Sequence, residues 1–362
     1  MAALRVGFLA LQEPGISPGQ RYRVEAFLPA LRQRGISVRY DWVLDRDDLR
    51  VFYGHEPAIR KAAVSVKAFS RRARSLVRAG DVDVWLVQRE AFFLGNHWGE
   101  WLASLRAPVI YDFDDAVWIR TMSAANSRYA WLKNVEKIPR VVALAHTVLA
   151  GNAYLAAWAS AYTRNVTVVP TCVDTDVFAP VRPPRANGPV VIGWSGSPST
   201  IEHLRPLLPV LERLAARVGN RVAFRVMGDP TFRHEPLGLQ GESWTPAAEL
   251  SLLRGMDIGL MPLPDDQWTR GKCGLKGLVS MAMGAASVMS PVGVNTEIVT
   301  PGEDGFLPQS DDEWVDVLER LVDDHKLRAR LGAAGRRTVV DRYSVSRWAP
   351  VLGDLIETAA ER

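Results

Sequence analysis

Short, unbroken apolar runs separated by helix-length stretches recur from one end of the chain to the other. They constrain the fold more than any single motif does. Such runs fall at 4–10, 38–42, 82–87, 109–111, 147–150 and 166–169, and again at 190–194, 222–226, 258–262 and 286–290. Strands that are apolar on both faces belong to parallel sheets covered by helices on each side. Between the two series the chain reads TCVDTDVFAPVRPPRANGP, with the prolines and turn residues of a linker. The pattern predicts two doubly wound α/β domains, one over 1–178 and one over 188–342, joined near 175–188. A length of 362 residues is enough to bury two cores. A capping box at Ser310–Glu313 opens one late helix, and an amphipathic helix closes the chain from Val345 onward.

Each predicted domain opens with a strand that runs into a Gly/Pro/Ser loop and then a helix. The first opening is RVGFLALQEPGISPGQRYR and the second is VVIGWSGSPSTIEHLR. In open α/β sheets ligands bind at the carboxyl ends of the strands, so both loops are expected to face a common cleft. Neither loop has the GxGxxG spacing that cradles a dinucleotide, which argues against an NAD or FAD enzyme. A net charge of +4 excludes a nucleic-acid protein driven by bulk charge. Two cysteines, Cys172 and Cys273, leave no disulfide framework and suit a reducing compartment. The start MAALRVGFLALQEPG lacks the pattern of an export signal, and no apolar run approaches the roughly 20 residues of a membrane span. A cytoplasmic protein is expected.

Four segments could carry chemistry. The first is Tyr111-Asp112-Phe113-Asp114-Asp115-Ala116-Val117-Trp118. Three carboxylates at a strand end repel one another, and need donors, a cation or a polyhydroxyl ligand to coexist. A helix amino terminus would also favour them, and a metal-binding DxD is a third reading. The second segment is Trp268-Thr269-Arg270-Gly271-Lys272-Cys273-Gly274-Leu275-Lys276, where glycines, lysines and a helix start together suit a diphosphate. A solvated basic loop is the plain alternative. The third is SPVGVNTEIV at 290–299, in which Asn295 offers polar groups or simply caps a helix. The fourth is a basic stripe of Arg60, Lys67, Arg71, Arg74 and Arg78 beside the apolar stripe Ile59, Ala62, Val66, Phe69, Ala73 and Leu76. It reads either as one buried and one solvated face, or as peripheral membrane contact through residues 58–78. The six histidines lack metal-ligand spacing.

Several stretches then resemble a known family. Val169-Pro-Thr-Cys-Val-Asp174 through Phe178, Ile192-Gly-Trp-Ser-Gly-Ser-Pro198, Met281-Ala-Met-Gly284, Pro301-Gly-Glu-Asp-Gly-Phe-Leu307 and Arg342-Tyr-Ser344 are together similar to the family 4 glycosyltransferases. Those enzymes have two Rossmann-like domains facing a central cleft, the GT-B architecture. The resemblance implies a last helix, here 343–362, that crosses back to the N-terminal domain. It implies sugar transfer from a nucleotide diphosphate donor with retention of configuration, no metal and no other cofactor. The family's pair of glutamates, eight positions apart, falls here on Gly271 and Val279, so donor recognition departs from the family's pattern.

On this reading the donor lies against Gly196, Ser197, Gly228, Arg270, Gly271, Lys272, Gly274, Lys276 and Asn295. Lys272 and Lys276 are the basic groups left to stabilise the departing diphosphate. The acceptor is a glycan, a lipid-linked sugar or a small molecule. It lies near Gly19, Arg21, Arg23 and Trp118, with Asp114, or alternatively Asp112, steadying hydroxyl groups. A nucleotide-sugar epimerase and a non-catalytic sugar- or nucleotide-binding protein are the competing readings.

Overall fold

The apolar runs form strands, and the chain builds two six-stranded sheets. The computed structural model describes residues 3–78, 80, 82–120, 134–180 and 188–361, so 181–187 of the expected linker lies outside the described residues. Contacts divide the chain into one unit of Met1–Thr171 with Trp348–Arg362 and a second of Cys172–Arg347. The first sheet contains β1 (Leu4–Leu9), β2 (Ile36–Asp41), β3 (Val84–Gln88), β4 (Val109–Phe113), β5 (Thr147–Ala150) and β6 (Val166–Val168). Their order is β2-β1-β3-β4-β5-β6, and every pairing is parallel.

The second sheet contains β7 (Val190–Ser195), β8 (Val222–Met227), β9 (Arg233–His234), β10 (Leu239–Glu242), β11 (Ile258–Met261) and β12 (Ala286–Met289). Its order is β12-β11-β7-β8-β10-β9. Two of these strands were not expected, and β9 runs antiparallel to β10. Arg233–His234 and Leu239–Glu242 are short and partly polar, so they carry no apolar signal. Backbone pairing at the sheet's edge makes them strands. The first strand of each unit sits between the strand that follows it and one reached later, so helices leave it toward opposite faces. Each unit therefore has its own crevice, at the carboxyl end of β1 in the first and of β7 in the second.

Packing follows from the same pattern. In the second unit Trp194, Ile192, Leu211, Leu214, Leu318 and Leu321 lie in one core. Each such side chain contributes about 1.5–3 kcal/mol by leaving water. Ser310 caps the helix Asp311–Asp323 by accepting from the Glu313 amide at 3.3 Å. The return bond of a capping box goes elsewhere, because Glu313 accepts from the Gln309 amide at 2.7 Å. The last helix spans Val345–Ala360, and within the first unit Arg34 donates to the Pro350 carbonyl at 2.9 Å and to Glu357 at 2.7 Å.

The helix Ala58–Val77 corrects the expected faces. It buries Lys61, Val64, Ala68, Arg72 and Leu76, while Ile59 is 78% and Val66 66% exposed. Arg72 decides this orientation. Its guanidinium donates to the carbonyls of Ala10 (2.6 Å), Asp41 (3.1 Å) and Ala91 (2.8 Å), which lie at or beyond the ends of β1, β2 and β3. The Ala10 and Ala91 carbonyls left unpaired would cost about 1–3 kcal/mol each, so that together they outweigh the exposure of a single aliphatic side chain. Lys67 and Arg71 pair with Asp45 and Asp48, so much of the basic stripe serves the unit's own fold.

Candidate functional site

In the first unit the loop after β1 is tied down by a chain of polar side chains. Gln20 accepts from the Gln12 amide at 3.0 Å and donates to the Tyr40 hydroxyl. Tyr40 donates to Glu25 at 2.8 Å, and Glu25 accepts from the Gly15 amide at 2.9 Å. Burial pushes the Glu25 carboxyl up, against the Tyr40 and Gly15 bonds that pull it down. Gly19 then passes so close to the end of β3 that a Cβ there would lie 2.8 Å from Gln88 Nε2 and 3.4 Å from Asp114 Oδ2. The expected residues Gly19 and Asp114 are thus brought together.

The three aspartates of the β4 end separate into distinct roles. Asp112 is buried against Arg23, which donates to it through Nε at 3.1 Å and through Nη2, and to the Val169 carbonyl at 2.5 Å. Burial pushes the Asp112 carboxyl up, and the Arg23 charge opposes it. Arg23 was expected on the acceptor side, and Asp112 as the alternative to Asp114 in steadying hydroxyl groups. Both are instead interior groups, only 5% and 2% exposed, that join the first helix to β4 and β6. Asp114 is partly buried and Asp115 buried, and the two share Arg89, which donates to Asp114 at 2.8 Å and also to Asp115. Gln88 donates to Asp114 at 3.1 Å.

Arg89 is the residue that the sequence reading missed. Its φ is +64°, the only positive value at a non-glycine among the described residues. Such a conformation costs on the order of 1–3 kcal/mol and persists where the surroundings demand it. Two carboxylates and the Tyr111 hydroxyl, which donates to the Arg89 carbonyl at 2.7 Å, make that demand. The signal was available, since QRE at the end of VWLVQRE is polar at a strand's carboxyl end, as YDFDD is. Arg21 stands 5.2 Å from the Tyr22 ring. Trp118 stacks on Trp158 at 4.1 Å with planes 4° apart, next to Tyr154 at 6.0 Å.

In the second unit the β7 and β8 loops meet. Gly228 has a φ of +126°, and a Cβ on it would lie 2.5 Å from the Gly196 carbonyl carbon and 2.8 Å from the Ser197 nitrogen. Gly196 packs on the Trp194 indole, and Lys276 Nζ stands 5.6 Å from that ring. Trp194 therefore links the expected residues Gly196 and Lys276. The turn after β11 is set by Asp266 and Thr269, which cap the short helix Gln267–Arg270 reciprocally. Lys272 Nζ lies 4.7 Å from the Trp268 ring. Gly274, left-handed at φ +73°, opens the helix Leu275–Ala282 without a side-chain cap.

The remaining expected residues divide. Arg270 points to Asp265 at 2.6 Å in an exposed pair. Gly271 is buried, and Gly293 crosses beneath Arg270 so closely that a Cβ would lie 2.8 Å from the Arg270 carbonyl oxygen. Asn295 is buried; its Nδ2 donates to the Ser290 carbonyl at 3.0 Å, and its Oδ1 has no hydrogen-bond partner among the described residues. Val279 packs in the interior. Among the described residues no group of three or more His, Cys, Asp or Glu is arranged to hold a metal ion, and no helix is long and apolar enough to cross a membrane.

Residues 189–324 match the family described as Glycosyl transferases group 1. No curated protein sequence matches the chain. Among solved structures, it is similar to a glycosyltransferase from Rickettsia africae, at 12% identity and a TM-score of 0.67, with 100% of each chain covered. Anabaena HepE in complex with UDP and glucose superposes with a TM-score of 0.67 at 13% identity, over 98% of this chain and 100% of that one. Sucrose-phosphate synthase from Thermosynechococcus elongatus gives 0.66 at 15% identity, over 98% of each. The chain therefore has the two-sheet, Rossmann-like GT-B fold, and its second unit carries a stretch that matches the Glycosyl transferases group 1 family.

Proposed function

We propose that the protein is a retaining glycosyltransferase that moves a sugar from a nucleotide diphosphate donor to an acceptor hydroxyl. The observation that carries this reading is a coincidence of place. The segment 189–324, which matches the glycosyl transferase family, contains the crevice where Gly196, Ser197 and Gly228 meet beside Lys276. Glycines there let a ligand approach the backbone, and the uncapped start of the helix Leu275–Ala282 favours an anion. HepE is a protein of this fold whose structure holds UDP and glucose, which supports a nucleotide-sugar donor.

The donor then lies along Gly196–Ser197, Gly228 and the turn from Arg270 to Lys276. Lys272 and Lys276 stabilise the charge that develops as the diphosphate leaves. The acceptor hydroxyl attacks from the face the phosphate is leaving and passes its proton to that phosphate, so no protein base is required. Asn295 Oδ1, buried and without a hydrogen-bond partner among the described residues, accepts from a hydroxyl of the donor on this reading. On the first unit, Asp114, Gly19, Arg21 and Trp118 receive the acceptor, while Arg23, Asp112 and Arg89 hold that surface in shape. The donor contacts differ from the family's, because Gly271 and Val279 stand where its glutamates do. Incubation with UDP-, GDP- and ADP-linked sugars and a panel of glycan and lipid-linked acceptors tests the reading. Release of nucleotide diphosphate that depends on an acceptor, with an α-linked product from an α-linked donor, is expected. Isomerised donor without transfer, or nucleotide binding without turnover, would replace it with the epimerase or binding-protein reading.

A further inference from the structure

Most of the large apolar side chains that the first unit exposes lie on two neighbouring helices, Ala58–Val77 and Trp98–Ser104 with the residue that follows it. On the longer helix they are Ile59, Val66, Phe69 and Val77, separated by seven, three and eight positions, which keeps them on one face. Arg72 turns this face outward by drawing the opposite one into the unit. The apolar surface continues onto the second helix. The Phe69 ring packs on Trp98 at 4.9 Å, and Leu102 and Leu105 follow Trp98 at four and seven positions, on the same side. Leu105 is 63% exposed, with Trp101 and Leu102 exposed beside it. Contiguous apolar surface of this kind marks an interaction site, whereas a lone exposed aliphatic residue does not.

The cations that border this face select its partner. Arg60 pairs with Glu56 at 3.0 Å, and Lys67 pairs with Asp45 and Asp48, so the amino-terminal half is balanced. The carboxyl-terminal half is not. Arg74 and Arg78 are exposed, lie one turn apart, and have no ion pair among the described residues. Arg106 is exposed too, and its Nη1 donates to the Leu76 and Val77 carbonyls at 2.8 and 3.3 Å. Neutral carbonyls thus hold that guanidinium beside Arg78 without cancelling its charge. Arg39, which reaches the same helix end, is balanced by Asp41 at 2.9 Å. Three like charges so placed repel one another, and the helix Ala58–Val77 contains no carboxylate to relieve them. A second copy meeting this face with its own would bring the same arginines rather than anions.

We propose that this face lies on an anionic lipid bilayer, with Ile59, Val66, Phe69 and Val77 at the acyl boundary and Arg74, Arg78 and Arg106 against headgroup phosphates. A helix lying in the plane of a bilayer has this form, an apolar stripe bordered by cations. Guanidinium groups meet phosphate oxygens in bidentate fashion. Trp101, amphipathic and exposed, suits the level of the headgroups. The basic stripe read from the sequence is only part of this surface, since Lys67 and Arg71 are spent on Asp45 and Asp48. The proposal involves no donor or acceptor, so it stands apart from the transfer reading.

Sedimentation of the full chain with vesicles tests it, using pure phosphatidylcholine and phosphatidylcholine mixed with one quarter phosphatidylglycerol. The chain is expected to bind the mixed vesicles at least tenfold more tightly than the neutral ones, and added salt should shrink that difference by screening the charges. Arg74→Gln/Arg78→Gln should weaken binding to the mixed vesicles roughly thirtyfold, the loss expected for two arginines near an anionic surface. Val66→Glu/Val77→Glu should weaken it at least tenfold by setting charge into the apolar stripe. All four positions are exposed, so both double variants should keep the parent's melting temperature, which is measured alongside. Val177→Glu, at an exposed position of the second unit, should bind as the parent does. No binding to the mixed vesicles, equal binding to both kinds, or unchanged binding in either double variant overturns the proposal. So does a parent that ignores vesicles but sediments as a dimer that Val66→Glu/Val77→Glu dissolves, which would make the face a contact between copies.

Discussion

Gly228→Ala isolates the contact on which the proposed donor crevice depends. Two separate costs follow from the structure. The first is backbone: at φ +126° an alanine is strained by on the order of 1–3 kcal/mol. The second is overlap, because the new methyl group would lie 2.5 Å from the Gly196 carbonyl carbon and 2.8 Å from the Ser197 nitrogen. Both neighbours are main chain and cannot rotate away, so overpacking adds about 1–3 kcal/mol. A total near 4 kcal/mol corresponds to a fall of roughly 8–16 °C in the melting temperature of a unit this size. Gly238→Ala is the matched control. Its φ is +59° and nothing lies within 4 Å of its Cβ position, so only a backbone cost of about 1–2 kcal/mol applies. Differential scanning calorimetry reads the stability of both variants, and titration with UDP reads the crevice. Gly228→Ala should melt well below Gly238→Ala and bind UDP at least tenfold more weakly. If the two variants melt together and bind UDP alike, the loops part freely and the Gly196–Gly228 contact does not shape the site.

Four further substitutions have definite expected outcomes. Lys272→Ala should lower turnover by roughly a hundredfold or more, the loss of about 3–4 kcal/mol usual for one charge-stabilising donor, and weaken nucleotide diphosphate binding while nucleoside binding persists. Lys276→Ala should act more mildly, and steady-state kinetics with UDP and uridine titrations check both. Asp114→Asn should cut turnover with nucleotide affinity unchanged, since Asp114 belongs to the unit that does not carry the proposed donor loops; wild-type turnover would return it to a purely structural pairing with Arg89. Asp45 supplies a pH signature: burial works against its charge, but the Asp48 amide, Arg71 and Lys67 together hold its pKa well below the usual carboxylate range. A depressed folded-state pKa contributes stability that is present above the unfolded value and lost as pH falls, so the loss begins below about pH 4. Asp45→Asn should flatten that acid limb of melting temperature against pH, and an unchanged slope would remove Asp45 from the account.

The parallel-sheet architecture was legible because it depends on composition along short stretches. A run such as Val-Val-Ile-Gly-Trp can bury both faces only inside a sheet covered by helices, whatever the rest of the chain does. The strand-end loops were legible for the same reason, since chain order alone places them at carboxyl ends. Two kinds of feature were not legible. The strands β9 and β10 carry little apolar pattern and exist because a neighbour offers its backbone. Which charges face inward was equally hidden, because burial of an ion depends on partners distant in sequence. Arg72 meets carbonyls 62, 31 and 19 positions away, and so turns a helix whose apolar stripe alone would have faced the other way. Arg23 finds Asp112 at a separation of 89, which converts two expected site residues into interior supports. Arg89 becomes noteworthy only through its φ and its two carboxylates. Local pattern determines which segments become strands and helices, because hydrophobic burial is additive along the chain. Long-range pairing decides which polar groups those elements expose, because an ion or amide leaves water only where the fold delivers its partner.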